Sequence, residues 1–507
     1  MRKIRMVCFF AAACVCGMSV PGIVSGQELK KQEAQNVVFI IIDALRPDHL
    51  GCYGYRFNTS PAIDVLARES VVFENAFSQS CYTIASHASM FTSLYPKSHG
   101  MFEVFKDVFP KRVTMMAELF KNKGLATAWF SILDQPHLDI SIGFGRGYDF
   151  TGDLGPRLEE REDLFDWIRQ NKDKPFFLAM NARSVHDPYS PDPSYRKKME
   201  RGSKRKIIST EDELDRGVFR TIQAFARKSL PERVRVTHKD VLYGPYKKGR
   251  IDVIADLLPP AKKLELINMR RGFYFSRIDL KDKNNMEYLR SLYDACILET
   301  DQKLISSLVA LLKELGIYDN TCIVITSDHG EEFGEHGGLG HNFQLYDELV
   351  HVPLIMKIPG YAGQKRIKQL VQSIDILPTL CGYFGIIPPA YIQGKDLSGL
   401  LKSDKPLPVH QYVYGENPKE MYIRSEEWKL IVPHNPNGQR YLYNVKQDPA
   451  EKNNVYALDS SADIRKQMEP ALQEQRHSLP LYQEGENYFL PEIPPEMRER
   501  IKKTGYW

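Results

Sequence analysis

The chain has 507 residues, 43% of them hydrophobic and 26% charged, and a formal net charge of +4. That is enough apolar material for one large core and a smaller second one. So small a charge on so long a chain argues against a nucleic-acid binder, which would be far more basic.

The chain opens on Arg2, Lys3 and Arg5, then an apolar run from Met6 to about Val20, then small residues at Val24-Ser25-Gly26. This order predicts an export signal over residues 1–26 and a periplasmic or secreted protein. The run is too short to span a membrane. Lipid attachment at Cys14 is a minor alternative, because alanine fills the position where a larger aliphatic residue is usual. Beyond the signal the cysteines are Cys52, Cys81, Cys296, Cys322 and Cys381. Their odd number leaves at least one thiol free, and their spacing forms no close metal motif, so buried thiols are the simple reading. Cys81, two residues before Thr83, is also weighed as a nucleophile.

Residues 37–42 form a continuous apolar run that ends at Asp43, as expected of a strand buried on both faces. Residues 176–180 repeat the pattern after Pro175, with His186 on the loop that follows. Residues 322–326 repeat it again and end at Ser327-Asp328-His329-Gly330. Helical spacing is expected over 86–93, over 115–123 before Gly124, and over 289–315 before Gly316. The alternation predicts an α/β fold, a large mixed and mostly parallel sheet flanked by helices. From about 196 to 271 basic residues outnumber acidic ones and the pattern weakens, which reads as an insertion within this domain. A solvated face is the ordinary reading of its charges, and recognition of an anionic substrate is the sharper one. Residues 421–424 and 440–443 alternate, predicting a smaller C-terminal antiparallel sheet with a closing helix. The expected division is therefore 27–400 for the catalytic domain and 401–507 for the C-terminal subdomain.

Ligands of open α/β sheets gather beyond the carboxyl ends of the strands, so Asp43, His186 and Asp328-His329 point at one site. Two carboxylates and an imidazole suit one divalent cation, with Mg, Mn, Ca and Zn not distinguished. Such an ion polarises an ester oxygen and lowers the pKa of a bound hydroxyl. Thr83 offers that hydroxyl, and the amides opening the helix after it favour an anion. His186 and His341 can hold a tetrahedral anion and protonate a leaving group. Each piece has a plainer reading. Asp at a strand end caps turns, a lone His is usually structural, Ser86 can pack or cap its helix, and Glu331-Glu332 and Glu335-His336 can be surface residues. Their joint occurrence at strand ends favours the site.

Asn36-Val37 through Asp43-Ala44-Leu45-Arg46-Pro47-Asp48-His49-Leu50-Gly51-Cys52-Tyr53-Gly54 resembles the opening of the sulfatase family within the alkaline phosphatase superfamily. Ser60-Pro61-Ala62-Ile63-Asp64, Leu94-Tyr95-Pro96-Lys97-Ser98-His99-Gly100 and Thr326-Ser327-Asp328-His329-Gly330 are similar to its later landmarks, as are Val352-Pro353-Leu354 and Asp448-Pro449-Ala450-Glu451-Lys452-Asn453. The resemblance implies one divalent metal held by Asp43, Asp328 and His329, with Thr83 at the nucleophile position and also touching the metal. It places His186 at the family's histidine before Pro-Tyr, and His341 where a lysine usually contacts sulfate. His137 lies near another basic substrate contact, and Ser86 and His87 fall within the signature stretch, His87 where an arginine is usual.

The departures bear on the reaction. Ala44 replaces a second aspartate, and His329 replaces an asparagine, which resembles phosphonate and phosphodiester hydrolases. Thr83 stands where sulfatases carry the cysteine or serine precursor of formylglycine, so no formylglycine is expected. A formylglycine hydrate expels sulfate by collapsing to the aldehyde; a threonine ester must instead be cleaved by water or an acceptor alcohol. The expected partner is an anionic ester substrate, phosphate or sulfate and in some readings a glycan, with no nucleic acid and no membrane span. Three readings stay open: hydrolysis or transfer of phosphate or phosphonate esters by Thr83, sulfate-ester cleavage without formylglycine, and an inactive fold that binds glycans.

Overall fold

A computed structural model describes residues 35–102, 108–132, 140–155, 160–203, 271–341, 343–361, 363–402 and 409–479, with a few single residues between them. The expected export signal, Cys14, His137 and most of the basic insertion lie outside the described residues.

Eight strands form the main sheet: β1 (Asn36–Ile42), β2 (Val71–Phe77), β3 (Ala126–Ser131), β4 (Phe150–Asp153), β5 (Phe176–Ala182), β6 (Thr321–Thr326), β9 (His351–Lys357) and β10 (Lys365–Gln372). Between β6 and β9 lies a two-stranded ribbon of β7 (Glu332–Phe333) and β8 (Leu339–Gly340). The sheet order is β10-β2-β9-β6-β1-β5-β3-β4. Only β9 runs antiparallel to its neighbours, so the sheet is mixed and mostly parallel, as expected.

The three continuous apolar runs are the central strands β6, β1 and β5, and every residue in them is buried. Alternation of side chains across a strand divides them between two cores. Val37, Phe39 and Ile41 enter one core, where they join Ile84, Ala88 and Phe91 of the helix Thr83–Thr92. Val38, Ile40 and Ile42 enter the other, with Leu289, Leu292 and Tyr293 of the helix Lys283–Thr300.

Two helix boundaries differ from expectation. The helix expected over 86–93 starts at Thr83, because Tyr82 is extended (φ −155°) and its carbonyl accepts from Ser86 N at 3.2 Å. Thr83 is therefore the first helical residue rather than one preceding the helix. The helix expected over 289–315 begins at Lys283, where the Asp282 side chain accepts from the amides of Asn284 and Asn285. It runs through a π-helical turn, Asp301–Ser306, into Ser307–Glu314.

The C-terminal sheet has four antiparallel strands, β11 (Val413–Glu416), β12 (Glu420–Arg424), β13 (Trp428–Pro433) and β14 (Tyr441–Asn444), and the helix Ala462–Ser478 packs on it. Tyr422 donates its hydroxyl to Ser78 O at 2.7 Å, and Lys429, fully buried, pairs with Asp347 at 2.8 Å and Glu451 at 3.1 Å. The five cysteines outside the signal are all free thiols, four of them buried. Among the described residues no helix is long and apolar enough to cross a membrane.

Candidate active site

β1 and β6 are adjacent and parallel, so Asp43 and Asp328-His329 emerge side by side at their carboxyl ends. Asp43 N donates to Ala182 O at 3.0 Å, which extends the pairing with β5 by one residue. The chain then turns at Ala44, whose φ is +63°. An alanine there costs roughly 1–2 kcal/mol. Ala44 is held by its amide on Asp328 Oδ1 at 3.2 Å and by the Tyr293 hydroxyl on its carbonyl at 2.8 Å. Leu45 N on Ser327 Oγ at 2.9 Å fixes the same corner. The turn thus locks the two aspartate-bearing strand ends together.

Asp43, Asp328 and His329 are fully buried, and one ligand atom of each lies within 4.8 Å of the others. Asp43 Oδ1, Asp328 Oδ2 and His329 Nε2 have no hydrogen-bond partner. Two buried carboxylates, each with one oxygen left without a hydrogen-bond donor, are expensive unless something cationic meets them. His329 Nδ1 lies 2.8 Å from Gly330 O, and a carbonyl only accepts, so Nδ1 carries the proton and Nε2 offers a lone pair. It stands 3.5 Å from Asp328 Oδ2 and 3.8 Å from Asp43 Oδ1. Hard oxygens, a neutral imidazole and a tethered second nitrogen fit a divalent cation. Ala44 supplies no side-chain oxygen to this set. Asn181, at the end of β5, reaches Asp43 Oδ2 with its amide at 3.5 Å.

The helix that begins at Thr83 is docked onto this group by His87. Its Nδ1 lies 2.9 Å from Thr83 O and 3.5 Å from Asp328 Oδ2, and its Nε2 is buried without a partner. Thr83 itself is 4% exposed. Ser86, considered above for substrate contact, accepts from Ser78 Oγ and donates to Ser80 O, both at 3.1 Å. That is the packing role also considered for it. Cys81 is fully buried, and burial pushes its thiol up to about 12, so it is a poor nucleophile.

His341 and His186 continue the line of imidazoles. The His329 and His341 ring centroids are 4.4 Å apart, and those of His341 and His186 are 4.7 Å apart. His186 Nδ1 lies 2.7 Å from Asp187 O, which again makes Nδ1 the donor. Burial first, and then the charge of Arg183, hold the His186 pKa well below its ordinary value. It is a neutral imidazole with an accepting Nε2. His341 Nδ1 lies 2.8 Å from Glu331 Oε1. Burial and the nearby Asp187 push the Glu331 carboxyl well above its usual range.

Glu331 was open to reading as a surface residue; it is fully buried instead, and Glu332 beside it is too. Periodicity could not reveal this, since Glu331 lies in an irregular stretch and Glu332 in a strand of two residues. Arg271, at the edge of the basic insertion, is the second residue that sequence reasoning passed over. Its Nε donates to Asp187 Oδ2 at 3.1 Å and its Nη2 lies 3.3 Å from His341 Nδ1. His186, Asp187 and His341 also bring ligand atoms within 4.8 Å of one another, but Arg271 already supplies the positive charge there. Gly340 makes room for it: a Cβ at that position would meet Arg271 Nη2 at 2.4 Å.

Residues 35–386 match the family model described as Sulfatase, and residues 334–478 match one described as N-sulphoglucosamine sulphohydrolase, C-terminal. An N-acetylglucosamine-6-O-sulfatase of Bacteroides thetaiotaomicron is 26% identical, covering 88% of this chain and 87% of its own length. An ulvan-active sulfatase of Formosa agariphila is 25% identical over 93% and 87% respectively. A solved structure in complex with its substrate D-glucosamine-2-N,6-O-disulfate superposes with a TM-score of 0.64 at 20% identity, covering 88% of this chain and 98% of that one. A phosphonate monoester hydrolase of Agrobacterium radiobacter gives 0.63 at 20% identity, over 88% and 96%.

Proposed function

This chain belongs to the sulfatase family, as an ester hydrolase of the sulfuric or phosphoric type, and we propose that Thr83 is its nucleophile and phosphate or phosphonate esters its substrates. The observation that carries the reading is the position of His87, whose Nδ1 lies 2.9 Å from Thr83 O and 3.5 Å from Asp328 Oδ2. It ties the start of the Thr83 helix to the carboxylates that would hold a cation.

Asp43, Asp328 and His329 would hold one divalent metal, with the Thr83 hydroxyl as a further oxygen. When bound, that metal supplies Lewis acidity and a lowered hydroxyl pKa. Thr83 Oγ1 attacks phosphorus, the bond from phosphorus to the leaving oxygen breaks, and the leaving alkoxide takes a proton. Water or an acceptor alcohol then attacks phosphorus and frees Thr83. The amides opening the Thr83 helix stabilise the anion. Neutral His186, held below its ordinary pKa, accepts a hydrogen bond at Nε2 without being a strong base. The proton lost by Thr83 or the attacking water passes to solvent, while His341, held on Glu331, is suited to giving a proton to the leaving oxygen. The domains fall at 27–400 and 401–507, with the insertion at about 196–271, and the chain is exported through residues 1–26.

A second reading, cleavage of sulfate esters on glycans, is favoured by the relatives, which are named as an N-acetylglucosamine-6-O-sulfatase and an ulvan-active sulfatase. The test is a parallel panel of aryl phosphate monoesters, phosphodiesters, phosphonates and sulfates with Mg, Mn, Ca and Zn. Phosphorus esters should be turned over, Thr83→Ala should lower the rate by about 10³-fold or more, and Thr83→Ser should retain part of it. Exclusive sulfate release, or full activity in Thr83→Ala, overturns the reading.

A further inference from the structure

A count of charges around the site leaves one cation over. The carboxylates of Asp43 and Asp328 face the candidate metal position. Asp187 is taken by Arg271 at 3.1 Å, and Glu331 is taken by His341 at 2.8 Å. Arg183 lies one residue beyond β5, in the position that follows Ala182 beside Asp43, and has no such partner. Among the described residues no carboxylate pairs with it. Its Nε is buried without a hydrogen-bond partner. Its polar contact among the described residues is Nη2 to His186 Nδ1 at 3.5 Å, and that nitrogen already donates to Asp187 O. Two donors facing each other satisfy neither.

The segment that carries Arg183 is held firmly. Ser184 Oγ meets Thr300 Oγ1 at 2.6 Å, and Val185 is buried in the core between sheet and helix. Arg183 is only partly exposed, with its Nε buried and its Nη2 beside His186. A half-buried guanidinium with unmatched N–H groups is costly unless something anionic meets it.

We propose that Arg183 is a specificity residue that binds a second negative charge on the substrate. The proposal rests on the ester-hydrolase reading of this site. Arginine suits the task because its fixed fork of donors matches phosphate, sulfate and carboxylate oxygens. The second charge can come from the reacting group itself, as in a phosphate monoester dianion, or from an anionic substituent elsewhere on the substrate.

Two ligand pairs separate these sources. Phenyl phosphate and phenyl sulfate differ by one charge on the reacting group. Glucosamine N,6-disulfate and N-acetylglucosamine 6-sulfate differ by one charge away from it. Titration calorimetry on metal-loaded full-length protein, in a Thr83→Ala background so that no ligand is consumed, compares Arg183 with Arg183→Ala and Arg183→Lys. Arg183→Ala should weaken the doubly charged member of one pair by about tenfold or more and its singly charged partner by less than about threefold, with Arg183→Lys in between. The pair that responds names the source. Equal losses within both pairs, no loss in either, or no binding of any of the four ligands overturns the proposal. Selective binding without turnover in the Thr83 protein would instead leave Arg183 standing and remove the assigned reaction.

Discussion

His329 and His341 lie with ring centroids 4.4 Å apart across the β7–β8 ribbon, one tethered through Nδ1 to a backbone carbonyl and the other to a buried glutamate. This contact joins the candidate metal position to the groups that would handle the substrate. Its integrity depends on what surrounds it, and the following outcomes are expected.

Asp328→Asn should change the sign of its effect with metal. Without metal, removing one of two facing carboxylates relieves repulsion and raises the melting temperature slightly. With metal, the substitution should cost about 100-fold in affinity, or roughly 2.7 kcal/mol of metal-dependent stabilisation. Thermal melts with and without chelator check both signs, and a destabilised metal-free variant would refute the account.

Gly340→Ala should act on Arg271. Gly340 has φ +77°, and the added Cβ would lie 2.4 Å from Arg271 Nη2 and 2.9 Å from Phe275. Strain of about 1–2 kcal/mol is expected together with displacement of the guanidinium from His341. Activity should fall by about tenfold while the metal titration stays unchanged. Unchanged kcat/KM would show that Arg271 does not position His341.

Lys429→Met should destabilise strongly. Lys429 is fully buried between Asp347 and Glu451, and removing it leaves Glu451 buried beside Asp347 with only Arg424 still paired to the latter. Breaking a buried ion pair on one side costs about 3–5 kcal/mol. Urea unfolding followed by far-ultraviolet circular dichroism measures it, and a loss below 1 kcal/mol would show that the cluster relaxes.

Asp301→Asn should flatten a pH dependence. Burial pushes the Asp301 carboxyl up to about 7, against the amides of Ala62 and Ile63 that it accepts from. The folded state therefore holds this proton more tightly than the unfolded state. Its contribution to stability is present below pH 4 and is lost as pH rises through about 7. The variant should gain on the native chain, by about 1–3 kcal/mol, between pH 5 and pH 8. Parallel pH profiles would refute it.

The amino-acid sequence by itself determined the central strands and the groups at their ends. Three short unbroken apolar runs rich in β-branched and aromatic residues read as strands covered on both faces, and the first polar residue after such a strand falls at its carboxyl end. Asp43, Asp328 and His329 were legible for that reason. The helix start was misread at Thr83 because an extended Tyr82, not a capping side chain, sets it. What tertiary structure alone decided is the pairing of charge. Glu331 lies in an irregular stretch, Arg271 at the edge of a weakly patterned insertion, and Arg183 just past a strand, where no local period distinguishes a buried group from a solvated one. Arg271 meets His341 across 70 residues, and His87 meets Asp328 only because β1, β6 and the Thr83 helix pack together. Coulomb and hydrogen-bond partners depend on distances in space, which the fold sets and no short stretch of sequence encodes.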